Sequence, residues 1–320
     1  MKKLIYIFFA MIFLNAVYAQ CGCIDDMKND PSKYSDRIEL IFDGAFFTEG
    51  PAVDSKGNVY FTDLTFTSET GNEPGHIWKY SPSTNKTSIY RSPSSMANGM
   101  IIKNDTLYTC EGADTGGRRL IKTDLSTCKS FILTDNFNGK LYNSPNDLTI
   151  ADNGTIYFTD PRYSGNEPIE QPVNGVYRLN VAGQVELIID NISMPNGITV
   201  TPDNKKLYVG CNDENADEDN PNFIAEYLLD EEGKVTFNKY VAKFLPPTGP
   251  DGIKLGKNGF IYAALSDPYR PGIYVYSPEG VLVEKVILPE YPSNLIFADE
   301  SQKILYVTAG GNLYKVSLEN

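Results

Sequence analysis

Residues 146–160 read "NDLTIADNGTIYFTD": a polar pair, a short apolar run, an Asp-Asn-Gly turn and a second apolar run centred on a tyrosine. Two β-prone runs joined by a turn that tolerates positive φ specify a hairpin. The pattern recurs as "EGPAVDSKGNVYFTD" (49–63), "NGMIIKNDTLYTCE" (98–111), "NGITVTPDNKKLYVGC" (196–211), "DGIKLGKNGFIYAAL" (251–265) and "NLIFADESQKILYVTA" (294–309). Each copy opens on a polar residue (Glu49, Asn98, Asn146, Asn196, Asp251 or Asn294), and each second strand carries a tyrosine (Tyr60, Tyr108, Tyr157, Tyr208, Tyr262 or Tyr306). The openers are separated by 49, 48, 50, 55 and 43 residues, the length of one four-stranded propeller blade.

Between the copies lie further strand patterns, such as "GHIWKYSP" then "TSIYRS", and "NGVYRLN" then "QVELIID", bounded by Gly, Pro and Asn. No stretch has the period of a long amphipathic helix. After the sixth copy, "NLYKVSL" supplies only a third strand, so "RIELIFD", Arg37 to Asp43, is expected to supply the fourth and cover the open edge. The sequence thus predicts an all-β, six-bladed β-propeller over 37–320, closed by its N-terminal strand. Ahead of it, two lysines, an apolar run and small residues ending at Ala19 predict a signal peptide over 1–19 and export to the periplasm or medium. Gln20 before Cys21 disfavours a lipid anchor, and 20–36 reads as a tail.

The 320 residues carry a formal charge of −13, an acidic balance that repels nucleic acid and anionic lipid, so neither nucleic-acid binding nor membrane insertion is expected. The five cysteines match no disulfide framework or zinc ribbon. Cys110 and Cys128 would lie two strands apart at opposite ends, too far to pair. His76 is the only histidine and reads as a strand residue, which leaves no Ser-His-Asp triad, cysteine–histidine pair or multi-histidine zinc site.

Since the first strand of every blade lines the central channel, the openers converge on the axis. Glu49, Asn146, Asn196 and Asp251 offer two carboxylates and two amide carbonyls, a hard-oxygen set that suits calcium, with magnesium or manganese as alternatives. The acidic run 212–222 reads as an exposed loop beside the mouth. Asp147 reads as a turn-shaping hydrogen bonder.

The segments "FTEGP", "SPNDL", "FTDPRY", "MPNGI" and "GPDGI" together resemble the gluconolactonase and senescence marker protein (regucalcin) family, and "TCEGADTGGRRL" resembles its bacterial gluconolactonase branch. Paraoxonases and diisopropyl fluorophosphatase share the architecture more distantly. The resemblance, which runs from about Asp43 to the C-terminus, implies a calcium propeller that hydrolyses sugar lactones or related esters. It makes Glu49, Asn146, Asn196 and Asp251 the calcium ligands and Asp251 the candidate base or nucleophile. A calcium-bound carboxylate is a weak base, so Asp251 orients water at least as much as it deprotonates it. Asn98, Glu111, Asn146, Asp160, Arg162 and Tyr163 stand at strand ends where they could meet a small-molecule substrate. Ser144 replaces an arginine of the animal lactonases, so their mode of sugar recognition does not carry over. At least one of Arg118 and Arg119 is expected on a solvated face. The alternative reading is a noncatalytic propeller, braced by calcium, that binds a carbohydrate or protein. Oligomeric state is not legible.

Overall fold

The computed structural model describes residues 36–318. The expected signal peptide, Cys21 and Cys23 lie outside the described residues. Hairpin 146–160 forms as its sequence dictates, pairing Leu148 with Phe158 and Ile150 with Ile156.

Six four-stranded antiparallel sheets follow one another. Blade 1 is Thr48–Val53, Val59–Asp63, His76–Ser81 and Lys86–Arg91; blade 2 is Ala97–Lys103, Thr106–Glu111, Arg119–Asp124 and Ser130–Thr134. Blade 3 is Leu148–Ile150, Ile156–Asp160, Gly175–Leu179 and Val185–Ile189; blade 4 is Pro195–Val200, Lys206–Cys211, Asn222–Leu229 and Val235–Phe244. Blade 5 is Pro250–Leu255, Ile261–Leu265, Gly272–Tyr276 and Leu282–Ile287. Blade 6 takes Pro292–Phe297, Ile304–Ala309 and Asn312–Ser317 from the end of the chain and Ile38–Asp43 from its start, Ile38 pairing with Val316 and Asp43 with Asn312. The described helix is a single turn, Thr67–Thr70.

Six apolar clusters fill the six junctions between neighbouring blades. At one, Tyr157 and Val176 of blade 3 meet Ile198, Leu207 and Val209 of blade 4; at the closing junction, Val59 and Phe61 of blade 1 meet Tyr306 and Leu313 of blade 6. The closing strand joins in through Phe42, whose ring lies 5.4 Å from Phe61 and 4.9 Å from Trp78. Burying each such side chain contributes about 1.5–3 kcal/mol, so the cohesion of the ring lies between blades as much as within them. The repeated tyrosines suit this position because the ring packs between sheets while the hydroxyl reaches a polar partner: Tyr157 donates to Asn204 at 2.9 Å and Tyr208 to Glu226 at 2.7 Å.

Cys110, Cys128 and Cys211 are free thiols. Burial, with the charges of Asp147 and Asp160, pushes the Cys110 thiol well above its usual range, so it is a packing residue. His76 is a half-buried strand residue whose ring meets the Ser92 hydroxyl at 2.8 Å.

Candidate cation site at the channel mouth

The first strands of neighbouring blades touch all the way round the axis. In five blades the first strand is bulged where its opener sits, between Glu49 and Ala52, Ala97 and Met100, Pro195 and Ile198, Pro250 and Ile253, and Pro292 and Asn294. A bulge interrupts the ladder and re-aims a side chain, here at the end of a strand that faces the channel. In blade 3 the ladder proper starts only at Leu148, and Asn146 is held by its N–H to the Thr159 carbonyl at 2.9 Å and its carbonyl to Gly99 N–H at 2.7 Å. The glycine after most openers has a steric cause: a Cβ on Gly50, at φ 43°, would stand 2.0 Å from the Asn98 carbonyl oxygen. Thr62 and Thr159, from the two "YFTD" strands, donate at 3.0 and 2.9 Å to the carbonyls of the next openers, Asn98 and Asn196.

Glu49 is 4% exposed, and its Oε2 accepts from Gly50 N–H at 2.7 Å and from the Asn294 amide at 3.1 Å. Burial pushes its carboxyl up to about 7, with the charge of Asp147 adding to the rise and these hydrogen bonds opposing it. Asp251, the partly exposed member, is raised well above the carboxylate range by desolvation and then by the charges of Glu49 and Asp147, against the Asn196 amide. The Asn196 amide N–H donates to the Tyr163 hydroxyl at 3.0 Å, and that hydroxyl donates to the Asn212 carbonyl at 2.8 Å. Tyr163 leaves 39% of its surface exposed, so it bridges solvent and the interior. The Asn146 side chain makes no hydrogen bond among the described residues.

Two further residues complete the electrostatics. Asp147 accepts from Leu148 N–H at 2.9 Å, the expected turn bond, and also pairs with Lys254 Nζ at 3.3 Å. Three acidic side chains, Glu49, Asp147 and Asp251, thus share the channel with the Lys254 ammonium.

A divalent cation fits this donor set on two grounds. Burial and mutual repulsion disfavour the ionised forms of Glu49 and Asp251, a penalty that a bound cation relieves. Beside the donors, Asn98 Oδ1 on the opener of blade 2 is buried with no hydrogen-bond partner among the described residues, an acceptor suited to a water that a cation would carry. The set is mixed, since no group of three or more His, Cys, Asp or Glu converges as a metal site among the described residues.

Among the residues expected to touch substrate, Asn98, Asn146 and Tyr163 belong to this constellation. Three others are placed differently. Glu111 has no exposed surface and accepts from Arg91 at 3.0 Å and Arg119 at 2.6 Å. Asp160 is fully buried and accepts from Asn143 N–H at 2.8 Å and Ser144 N–H at 2.6 Å; burial pushes its carboxyl up to about 8 against these bonds and against Arg118 and Arg162. Arg162 donates to the carbonyls of Asn143 at 2.9 Å and Glu167 at 3.1 Å. All three side chains are engaged by protein partners, and Arg162 keeps one buried nitrogen, Nη2, without a partner among the described residues. Arg118, expected with Arg119 to offer a solvated group, is 5% exposed and donates to the Tyr142 carbonyl at 2.6 Å, while Arg119 is half-buried on Glu111. The run 212–222 is largely an exposed loop that begins at the Tyr163 contact, but Asn222 is buried at the start of its strand.

Lys254 and the Glu49–Asn294 bond were not anticipated. The signal for Lys254 was a lysine inside an otherwise apolar first strand, "DGIKL".

The profile of the SMP-30/gluconolactonase/LRE-like region matches residues 113–311, more than half of the chain. The chain belongs to this family. A curated relative, the gluconolactonase of Zymomonas mobilis, is 32% identical over 308 residues, covering 87% of this chain and 80% of its own. The solved structure of a gluconolactonase from Xanthomonas campestris, 24% identical, superposes with a TM-score of 0.75 over 88% of this chain and 89% of its own. A calcium-binding regucalcin from Agrobacterium tumefaciens, 15% identical, does so with a TM-score of 0.65 over 87% and 92%. The two structures share the fold.

Proposed function

We propose that the protein is a divalent-cation-dependent lactonase, with calcium as the ion and a sugar lactone or related cyclic ester as substrate. The observation that carries this reading is the pair of acids, buried Glu49 and partly exposed Asp251, set with the amide-bearing openers Asn146 and Asn196 on first strands that meet around the axis. Family membership supports the chemistry, since the Zymomonas relative is a gluconolactonase, and the calcium-binding regucalcin neighbour supports the choice of ion.

Glu49, Asn146, Asn196 and Asp251 would hold the cation. When bound, it supplies Lewis-acid polarisation of the lactone carbonyl. The chain's own residues do the rest. Asp251, partly exposed, orients water toward the carbonyl carbon and accepts hydrogen bonds from it. Tyr163 ties up the Asn196 N–H, which leaves the amide oxygen free as a donor to the ion. Asn98 contributes an unpaired acceptor for a substrate hydroxyl or a bound water. Because its N-terminus reads as a signal peptide, the protein is also proposed to be exported.

The test is a panel of glucono-δ-lactone, an aliphatic γ-lactone and an aryl ester, assayed with and without chelator and with Asp251→Ala. Turnover on at least one substrate, lost on chelation and in the folded variant, is expected. A purified, cation-loaded protein that turns over none of them contradicts the reading and favours a noncatalytic binding propeller.

A further inference from the structure

The two copies of "YFTD" end on Asp63 and Asp160, and their carboxylates do the same thing in the same phase. Asp63 Oδ1 accepts from Phe46 N–H at 2.9 Å and Phe47 N–H at 3.1 Å, three and two residues before Glu49. Asp160 accepts from Asn143 and Ser144 N–H, three and two residues before Asn146. Both aspartates are buried, at 3% and 0% exposure. The remaining oxygen of Asp63 takes the Trp78 indole N–H at 3.3 Å. Around Asp160, Arg118 and Arg162 hold the carbonyls of Tyr142 and Asn143, so both polar faces of the entry segment are fixed.

We propose that Asp63 and Asp160 are positioning residues, each clamping the backbone that leads into one cation donor, Glu49 or Asn146. Neither opener has full ladder support, since Glu49 sits at a bulge and Asn146 stands ahead of a ladder that starts at Leu148, so the direction of each side chain depends on what fixes the residues just before it. A buried carboxylate that takes adjacent amide protons fixes two consecutive peptide planes with charge-assisted bonds. The other two donor strands lack this aspartate: Cys211 and Leu265 stand in its place. There the substitute contacts are the Ser193 hydroxyl with Cys211 Sγ at 3.4 Å and Gly249 N–H with Ser266 Oγ at 3.3 Å, and Asn196 is oriented from outside by Tyr163.

The proposal rests on the cation reading, and its test separates the two. Calcium chloride is titrated calorimetrically into cation-depleted parent, Asp160→Asn, Asp63→Ala and Glu226→Gln. Glu226 is a comparably buried carboxylate at 1% exposure, bonded to Tyr208, Lys206 and Asn238 away from the openers. Both aspartate variants are expected to bind calcium about tenfold or more weakly, as partners that orient ligands do, while Glu226→Gln melts earlier with its Kd unchanged. In an Asn146→Ala background, the Asp160→Asn penalty should vanish and the Asp63→Ala penalty persist. Aspartate variants that lose melting temperature but keep the parental Kd overturn the positioning role, as does failure of both to fold. A parent that shows no saturable calcium binding removes the cation reading and the proposal with it.

Discussion

Lys254 Nζ stands 3.3 Å from the Asp147 carboxylate, both side chains largely withdrawn from water, and the pair links the first strands of blades 3 and 5 across the channel. The ammonium also acts on Glu49, where its charge favours ionisation. Removing it alone leaves Asp147 buried beside two other acids. Lys254→Met is therefore expected to lower unfolding free energy by about 3–5 kcal/mol, the usual cost of orphaning one partner of a buried pair, with Lys254→Met/Asp147→Leu losing less. Urea denaturation of the cation-free proteins checks this.

Calcium affinity should depend on pH through Glu49 and Asp251, whose carboxyls are raised. The cation binds the ionised forms, so protons compete below about 7, and affinity falls as pH falls through that region. Without cation the sign for stability is opposite. The folded state holds a proton on Glu49 that the unfolded chain has released above its ordinary 4.5, so this group lowers stability as pH rises from there toward 7. Glu49→Gln should flatten the trend, and titrations in buffers of different ionisation enthalpy should report proton release on binding.

Tyr163→Phe keeps the ring and deletes the hydroxyl that the Asn196 amide uses. Two hydrogen bonds of about 0.5–1.5 kcal/mol each are lost, from the Asn196 amide and to the Asn212 carbonyl; losing the first should weaken calcium binding a few-fold to about tenfold, and the pair should lower the melting temperature by only a few degrees. Calorimetric titration gives both the affinity and, with a melting scan, the control.

Deleting the chain through Asp43 removes the edge strand on Asn312–Ser317 and the Phe42 contacts with Phe61 and Trp78. The ring should then melt at least several degrees lower and aggregate through the bared edge. A melting curve unchanged from that of the protein lacking only residues 1–36 would show that the strand is dispensable.

The architecture was legible because one hairpin is written six times, and the closing strand because the last copy ran out one strand short. Convergence of the openers followed from phase alone. What stayed hidden depends on contacts between remote positions. Glu111 meets Arg91, 20 residues away, and Asp147 meets Lys254, 107 residues away. The bulges carry no sequence mark beyond glycine. "YFTD" read as a strand with an acid at its tip, and only the backbone path before Glu49 and Asn146 shows that this acid turns inward.

Calcium can be restored, in fractional equivalents, to chelated protein while hydrolysis of glucono-δ-lactone is followed. Activity should start near zero, rise in proportion to bound calcium and level off at one equivalent, and Glu49→Gln should fail to recover at the same additions. Full hydrolysis after complete chelation, or recovery that ignores loss of the Glu49 carboxylate, would show that the activity needs no cation at Glu49.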